Sequence, residues 1–187
     1  MANDVSLVSA GKPKIAGAVY RAPAGTTPPT DATTNLASAF VLLGYVSEEG
    51  LTNNPAISST DIKAWGGDTV LTTMDSVTDD FQLTLLESMN TEVLKTFYGN
   101  TNVTGTLTGT SGITVTVNSK DLEYAVYSVD MALRDGAVKR IVIPSAKPGE
   151  RANIVYRDNE PIGYNVTLRC TPDSAGNTHY EYIKKTA

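Results

Sequence analysis

Between Ile162 and Thr171 apolar and polar residues alternate without a break. Ile162, Tyr164, Val166, Leu168 and Cys170 fall on one side, and Gly163, Asn165, Thr167, Arg169 and Thr171 on the other. A period of two suits a strand and not a helix, because successive strand side chains point to opposite faces of a sheet. The segment therefore predicts a half-buried strand with the Cys170 thiol on its inner side. A second such run sets Tyr127, Val129, Met131 and Leu133 against Ser128, Asp130, Ala132 and Arg134. It leads into Asp135-Gly136, a strong two-residue hairpin signal, and a returning strand over 138–143 ended by Pro144. A two-residue turn puts Arg140 on the apolar face, so a bulge or longer loop stays open there, and the register with it.

Further strands are predicted over 16–22, 41–46 (buried), 69–74, 81–86, 113–117 and 180–183, and a second hairpin joins 152–157 to 161–171 across Asp158-Asn159-Glu160. A Pro, Gly and Thr-rich stretch from Pro23 to Pro29 predicts an extended loop, and Asp31 is placed to cap a short turn of helix through Leu36 to Phe40. One longer helix is expected at about 90–98. Asn90 is a suitable N-cap, Glu92 lies where the helix dipole favours a carboxylate, Val93, Leu94 and Phe97 form an apolar stripe, and Gly99 supplies the stop. Residues 100–112 are nearly all Gly, Thr and Asn and predict an exposed hairpin or loop. From Ser47 to Gly67 the apolar period fades until Ile62 and Trp65. Roughly twenty irregular residues inside a compact domain are uncommon unless they have a function, so this is the first place to look for one.

With 187 residues, 41% of them hydrophobic, the chain is long enough to fold on its own core. Threonine is abundant, which favours strands over helices. These features predict a mainly β (α+β) fold: a β-sandwich or partly closed barrel of two sheets with one short flanking helix. No domain boundary or repeat is visible, so 1–187 reads as one domain with an extended loop at about 47–67.

Several functional classes fit poorly. A net charge of -5 argues against a surface that grips nucleic acid, since that grip comes from Lys and Arg. Cys170 is the single cysteine, which rules out an intrachain disulfide and suits a reducing cytoplasm. No apolar run has the length of a signal-peptide core or a membrane span, so synthesis in the cytoplasm and no membrane association are expected. The triplets Asn102-Val103-Thr104 and Asn165-Val166-Thr167 match a glycosylation pattern that has no meaning without secretion. His179 is the only histidine and must serve any His-based metal site or Ser-His or Cys-His pair. Ser9-Ala10-Gly11-Lys12 fails as a phosphate loop, lacking the upstream glycine and being followed by Pro13. The neighbouring carboxylates of Glu48-Glu49 and of Asp79-Asp80 point to opposite faces if they sit on strands, which disfavours a paired acid and base. No catalytic, metal or cofactor-binding residue is assigned, and no enzyme activity is expected.

Some segments remain that none of these classes uses. They are Gly11-Lys12-Pro13-Lys14, Gly17-Ala18-Val19-Tyr20, Leu43-Gly44-Tyr45-Val46-Ser47-Glu48-Glu49-Gly50-Leu51, Asp61-Ile62-Lys63-Ala64-Trp65-Gly66-Gly67-Asp68-Thr69-Val70 and Asn90-Thr91-Glu92-Val93-Leu94-Lys95. In this order they resemble the major tail protein, or tail tube protein, of long-tailed, non-contractile bacteriophages (siphophages). The resemblance covers about the first hundred residues, and the rest agrees by length and β-content. It implies a structural virion protein whose hexameric rings stack into a tube for DNA ejection, with inner strands joined into a barrel around the channel. The implied partners are further copies of the chain and tape-measure and tail-terminator or tail-tip proteins, with DNA passing through unbound and the protein residing in the virion tail.

In that family the long loop after the second strand and the chain ends reach a neighbouring ring. Mapped here the loop is 47–67, and its candidate assembly residues are Glu48, Glu49, Asn53, Asn54, Asp61, Lys63, Trp65 and Asp68 at its end. Trp65 has a simpler reading as a core anchor beside glycines that turn the chain. An acidic lumen would repel DNA and let it slide. Competing readings are an immunoglobulin-like adhesin or ligand-binding module contacting its ligand through 100–112 and 174–178, a tube protein of a contractile tail, and an enzyme whose site is not visible.

Overall fold

The computed structural model describes residues 3–14 and 18–185. In chain order the strands are β1 (Lys12–Pro13), β2 (Val19–Pro23), β3 (Val41–Leu42), β4 (Val46–Lys63), β5 (Thr69–Leu85) and β6 (Val103–Gly105). They continue with β7 (Ile113–Val115), β8 (Ala125–Ala132), β9 (Ala137–Arg151), β10 (Tyr164–Cys170) and β11 (Tyr180–Lys185). Among the described residues there is one α-helix, α1 (Thr91–Tyr98). Nine strands form an antiparallel sheet in the order β3-β2-β8-β9-β10-β5-β4, with β1 beside β8 and β11 beside β9 where β2 and β10 leave off. Strands β6 and β7 pair separately as a second sheet.

The alternation along β10 is realised, with Tyr164, Val166 and Leu168 buried between β9 and β5. They share one core with Phe81, Leu83 and Leu85 of β5, Tyr127 and Val129 of β8, Ile141 and Ile143 of β9 and Val19 of β2. Strands from both ends of the sheet order meet in that core, so the sheet curls over on itself. It does not close into a barrel, and the mainly β architecture is a β-sandwich with a flanking helix. The helix forms as its sequence predicts. The Asn90 side chain accepts the Glu92 N–H at 2.9 Å, Val93, Leu94 and Phe97 are buried, and Gly99 follows with φ of 100°.

Several expected elements differ. Asp31 starts no helix. Its carboxylate takes the N–H groups of Thr33 and Thr34 at 2.6 and 2.7 Å, an arrangement that competes with helical bonding. Arg140 then donates to the carbonyls of Asp31 and Thr34 and holds the Asp130 carboxylate with two bonds of 2.6 and 2.7 Å. This settles the open register. The turn is Arg134–Gly136, closed by Leu133 N–H on Ala137 O, and Arg140 stands opposite Asp130, away from the main core. On that second face the 31–40 segment covers a smaller apolar cluster of Ala22, Phe40 and Val126.

The buried strand expected over 41–46 shrinks to β3. At Gly44 the chain turns with φ of 79°, and a Cβ there would lie 2.0 Å from the Glu87 carboxyl carbon. Strand β9 does not stop at Pro144, which falls in a register shift against β8 where no ladder bond needs its missing N–H. The arm expected over 152–157 lies in the loop after β9, so β9 itself is the partner of β10. The strands expected over 69–74 and 81–86 are one strand, β5, which ends at Leu85. The 100–112 region supplies β6 and the turn into β7, as expected, although Val103 is buried. Of the first predicted strand, Ala16 and Gly17 lie outside the described residues, and β2 carries the remainder.

Candidate functional site

The largest departure from expectation is the segment 47–67. It is not an irregular loop. Residues 46–63 form strand β4, which pairs with β5 in a hairpin running from the core out into solvent. Strand pairing holds from Leu51 opposite Leu83 to Lys63 opposite Thr69. Beyond the pair Asn53 and Phe81, every residue of β4 is exposed, and so is every residue of β5 from Thr69 to Thr78. Threonine and β-branched residues favour the extended backbone there, but no buried face imposes an alternating pattern on them. The turn at the far end is closed by Ala64 N–H on Asp68 O at 2.8 Å and Gly67 N–H on Ala64 O at 2.9 Å, with Gly67 at φ of 95°. A bulge opposite Ser58 and Ser59 leaves Asp75 as the extra residue, whose carboxylate accepts from Thr60 Oγ1 at 2.6 Å.

This arm carries apolar side chains with nothing packed on them. Ile57 opposes Val77, Met74 opposes Ser59 on the same face, and Ile62 opposes Leu71 on the reverse face. Their exposures are 71, 53, 67, 47 and 53% for Ile57, Val77, Met74, Ile62 and Leu71, and Trp65 at the turn is fully exposed. Trp65 is therefore no core anchor, whereas the glycines beside it do make the sharp turn. A two-stranded ribbon is at best marginally stable by itself in water, so these faces lack the cover that would stabilise them.

At the root, the arm is stapled to the turn that leads into β11. Asp79 is buried and accepts from Asn53 Nδ2 on β4 at 2.6 Å and from Thr178 Oγ1 at 2.7 Å, and His179 Nδ1 contacts the same carboxylate. The His179 ring also meets Phe81 edge-on at 5.2 Å. Burial pushes the Asp79 carboxyl up, but the hydrogen bonds from Thr178, Asn53 and His179 together outweigh it and hold the group below the ordinary carboxylate range. Asp80, next along, faces the other way toward Arg169, 3.9 Å off. Spacing alone gave no sign of this cluster, whose members lie up to 126 positions apart.

The eight candidate residues thus separate into two groups at opposite ends of the arm. Glu48 and Glu49 sit in a bulged stretch between Val46 and Leu51, and Asn53 and Asn54 follow at the root. Asp61, Lys63, Trp65 and Asp68 lie at or beside the turn, where the Asp61 carboxylate accepts from Thr72 Oγ1 at 2.7 Å. The Cys170 thiol is pushed up to about 12, first by burial and then by Asp79 and Asp80, which makes it a poor nucleophile. Among the described residues no helix is long and apolar enough to cross a membrane.

The whole chain, residues 1–187, matches a family model described as phage tail tube protein. No curated protein matches it.

Proposed function

Because the chain belongs to the phage tail tube protein family, we propose that its copies form hexameric rings stacked into the tail tube of a siphophage, with the β4–β5 arm joining each ring to the next. The family is structural, so the role is that of a self-assembling tube component in the virion tail. One domain spanning 1–187 would supply the wall, and its acidic balance of -5 would keep DNA moving through the lumen toward ejection. The tape-measure and tail-terminator or tail-tip proteins are the natural further partners of such a tube. The protein would be made in the host cytoplasm and would do no chemistry.

The observation that carries this reading is the arm itself. An ordered hairpin with apolar residues on both faces and a fully exposed tryptophan is a liability in a monomer, and becomes useful when a neighbour covers it. A tube subunit also needs two unlike surfaces for head-to-tail stacking, which an arm and its recipient provide. Membership of the family favours this over a ligand-binding module. The test is to replace residues 57–77 with an Asn-Gly hairpin turn and compare size-exclusion profiles and negative-stain micrographs with wild type. The expected result is a folded monomer or ring that makes no tubes. Tubes of normal length from the shortened chain would remove the arm from the assembly.

A further inference from the structure

A pocket of about 380 Å³ opens at the root of the arm, between the inner face of β2 and β8 and the bulge at the start of β4. Its walls include Val19, Val129, Met131 and Leu51, together with Ser47. The Ser47 hydroxyl is buried and has no hydrogen-bond partner among the described residues. Glu48 lines the rim, exposed and in no ion pair among the described residues.

We propose that this pocket receives Trp65 from a second copy of the chain in the adjacent layer of the tube. The inference rests on the assembly reading above and names the surface that the arm engages. Three observations support it. First, an apolar pocket and a fully exposed indole are the two ends of one arm. Trp65 lies fourteen positions beyond Leu51, which at about 3.3 Å per strand residue is roughly 45 Å. No chain can fill its own pocket at that distance, but a copy shifted along the arm places its pocket at the first copy's tip. Repeated as a shift along the arm, a head-to-tail contact of this kind does not close on itself and builds an open-ended rod.

Second, the chemistry matches. A buried indole N–H needs an acceptor, and Ser47 Oγ is an acceptor without a donor. Third, the charges are complementary. Lys63, close to Trp65, makes no ion pair among the described residues and would meet Glu48 on the pocket's rim.

Cross-linking within assembled tubes tests this. In a Cys170→Ala background, Gly66→Cys and Glu48→Cys are combined, since Gly66 has open space where a Cβ would go and Glu48 is exposed. A short bismaleimide should convert double-cysteine tubes into a ladder of linked chains on a denaturing gel, and leave each single-cysteine chain monomeric. Tubes whose double-cysteine chains stay monomeric would overturn the proposal, as would Gly66→Cys chains that link tip to tip. Lys63→Glu should raise the concentration needed for assembly roughly tenfold, by setting like charges together, and Glu48→Lys should restore it. No rescue would count against the pairing even where cysteine variants fail to assemble. These outcomes concern the receiving pocket alone; normal tubes from the chain lacking 57–77 would instead remove the assembly reading beneath it.

Discussion

Strand β5 is one continuous strand with two unlike halves. From Phe81 to Leu85 its odd positions are 0 to 2% exposed in the sandwich core, whereas from Thr69 to Thr78 every residue faces solvent. Backbone pairing is the same in both, supplied by β4 on one side, and only the inner half has β10 on the other. The difference is what lies on the faces. In the body the chain provides its own cover, and in the arm the described chain provides none, so under the proposed assembly a neighbouring copy would supply it. The body should therefore carry the stability of the monomer, and the arm should carry assembly.

Phe81→Ala sets the upper end of that comparison. Removing a fully buried phenylalanine should destabilise the monomer by about 3–5 kcal/mol, read from denaturant unfolding. A loss under 1 kcal/mol would mean that the two halves of β5 differ less than their burial implies. Asp130→Ala should cost about 3–4 kcal/mol, because it strands the Arg140 guanidinium at 2% exposure with its carboxylate partner gone.

Asp79→Asn, at the junction of the two regions, should cost about 1–3 kcal/mol near neutral pH. The sign of its pH dependence follows from the direction of the shift. Hydrogen bonding holds the folded carboxyl below its unfolded value, so the stabilisation is fully present above the usual carboxylate range near pH 4. It is lost as pH falls through the depressed folded value. Wild type and variant should converge in stability on acidification, and a gap that stays constant into acid would contradict the staple. The smallest effect on the monomer belongs to Trp65→Ala, within about 0.5 kcal/mol because nothing packs on the ring. The same change should raise the critical concentration for tube growth roughly thirtyfold, as loss of an interface anchor does.

The same contrast explains how much of the molecule was legible in its sequence. Strand β10 and the run of β8 could be read directly, because one face of each lies on the apolar core, while the other is partly exposed in β10 and in β8 carries Ser128 and the Asp130–Arg140 pair. Helix α1 was legible through local chemistry, from the Asn90 cap to Gly99. The arm was located but misread in form. With both faces exposed, Asn53 through Lys63 had no reason to alternate, so an ordered strand looked like an irregular connector. The mixed sequence Asp75 to Asp80 likewise split β5 in two. Trp65 shows how residue type misleads, since a tryptophan beside glycines reads as a core anchor and this one stands fully exposed at the turn. The Asp79 staple and the Arg140 clamp on the 31–34 carbonyls were beyond reach for a different reason. Each depends on tertiary pairing between distant positions, which spacing does not encode.

Trp65 is the only tryptophan of the chain and stands at the end of the arm, so its fluorescence reports directly on whether assembly covers that end. The emission of the free protein should be that of a water-exposed indole, open to quenching by iodide. Conversion to tubes should move it to shorter wavelength and shield it from the quencher. An emission spectrum and quenching constant that stay unchanged while tubes form would contradict the account.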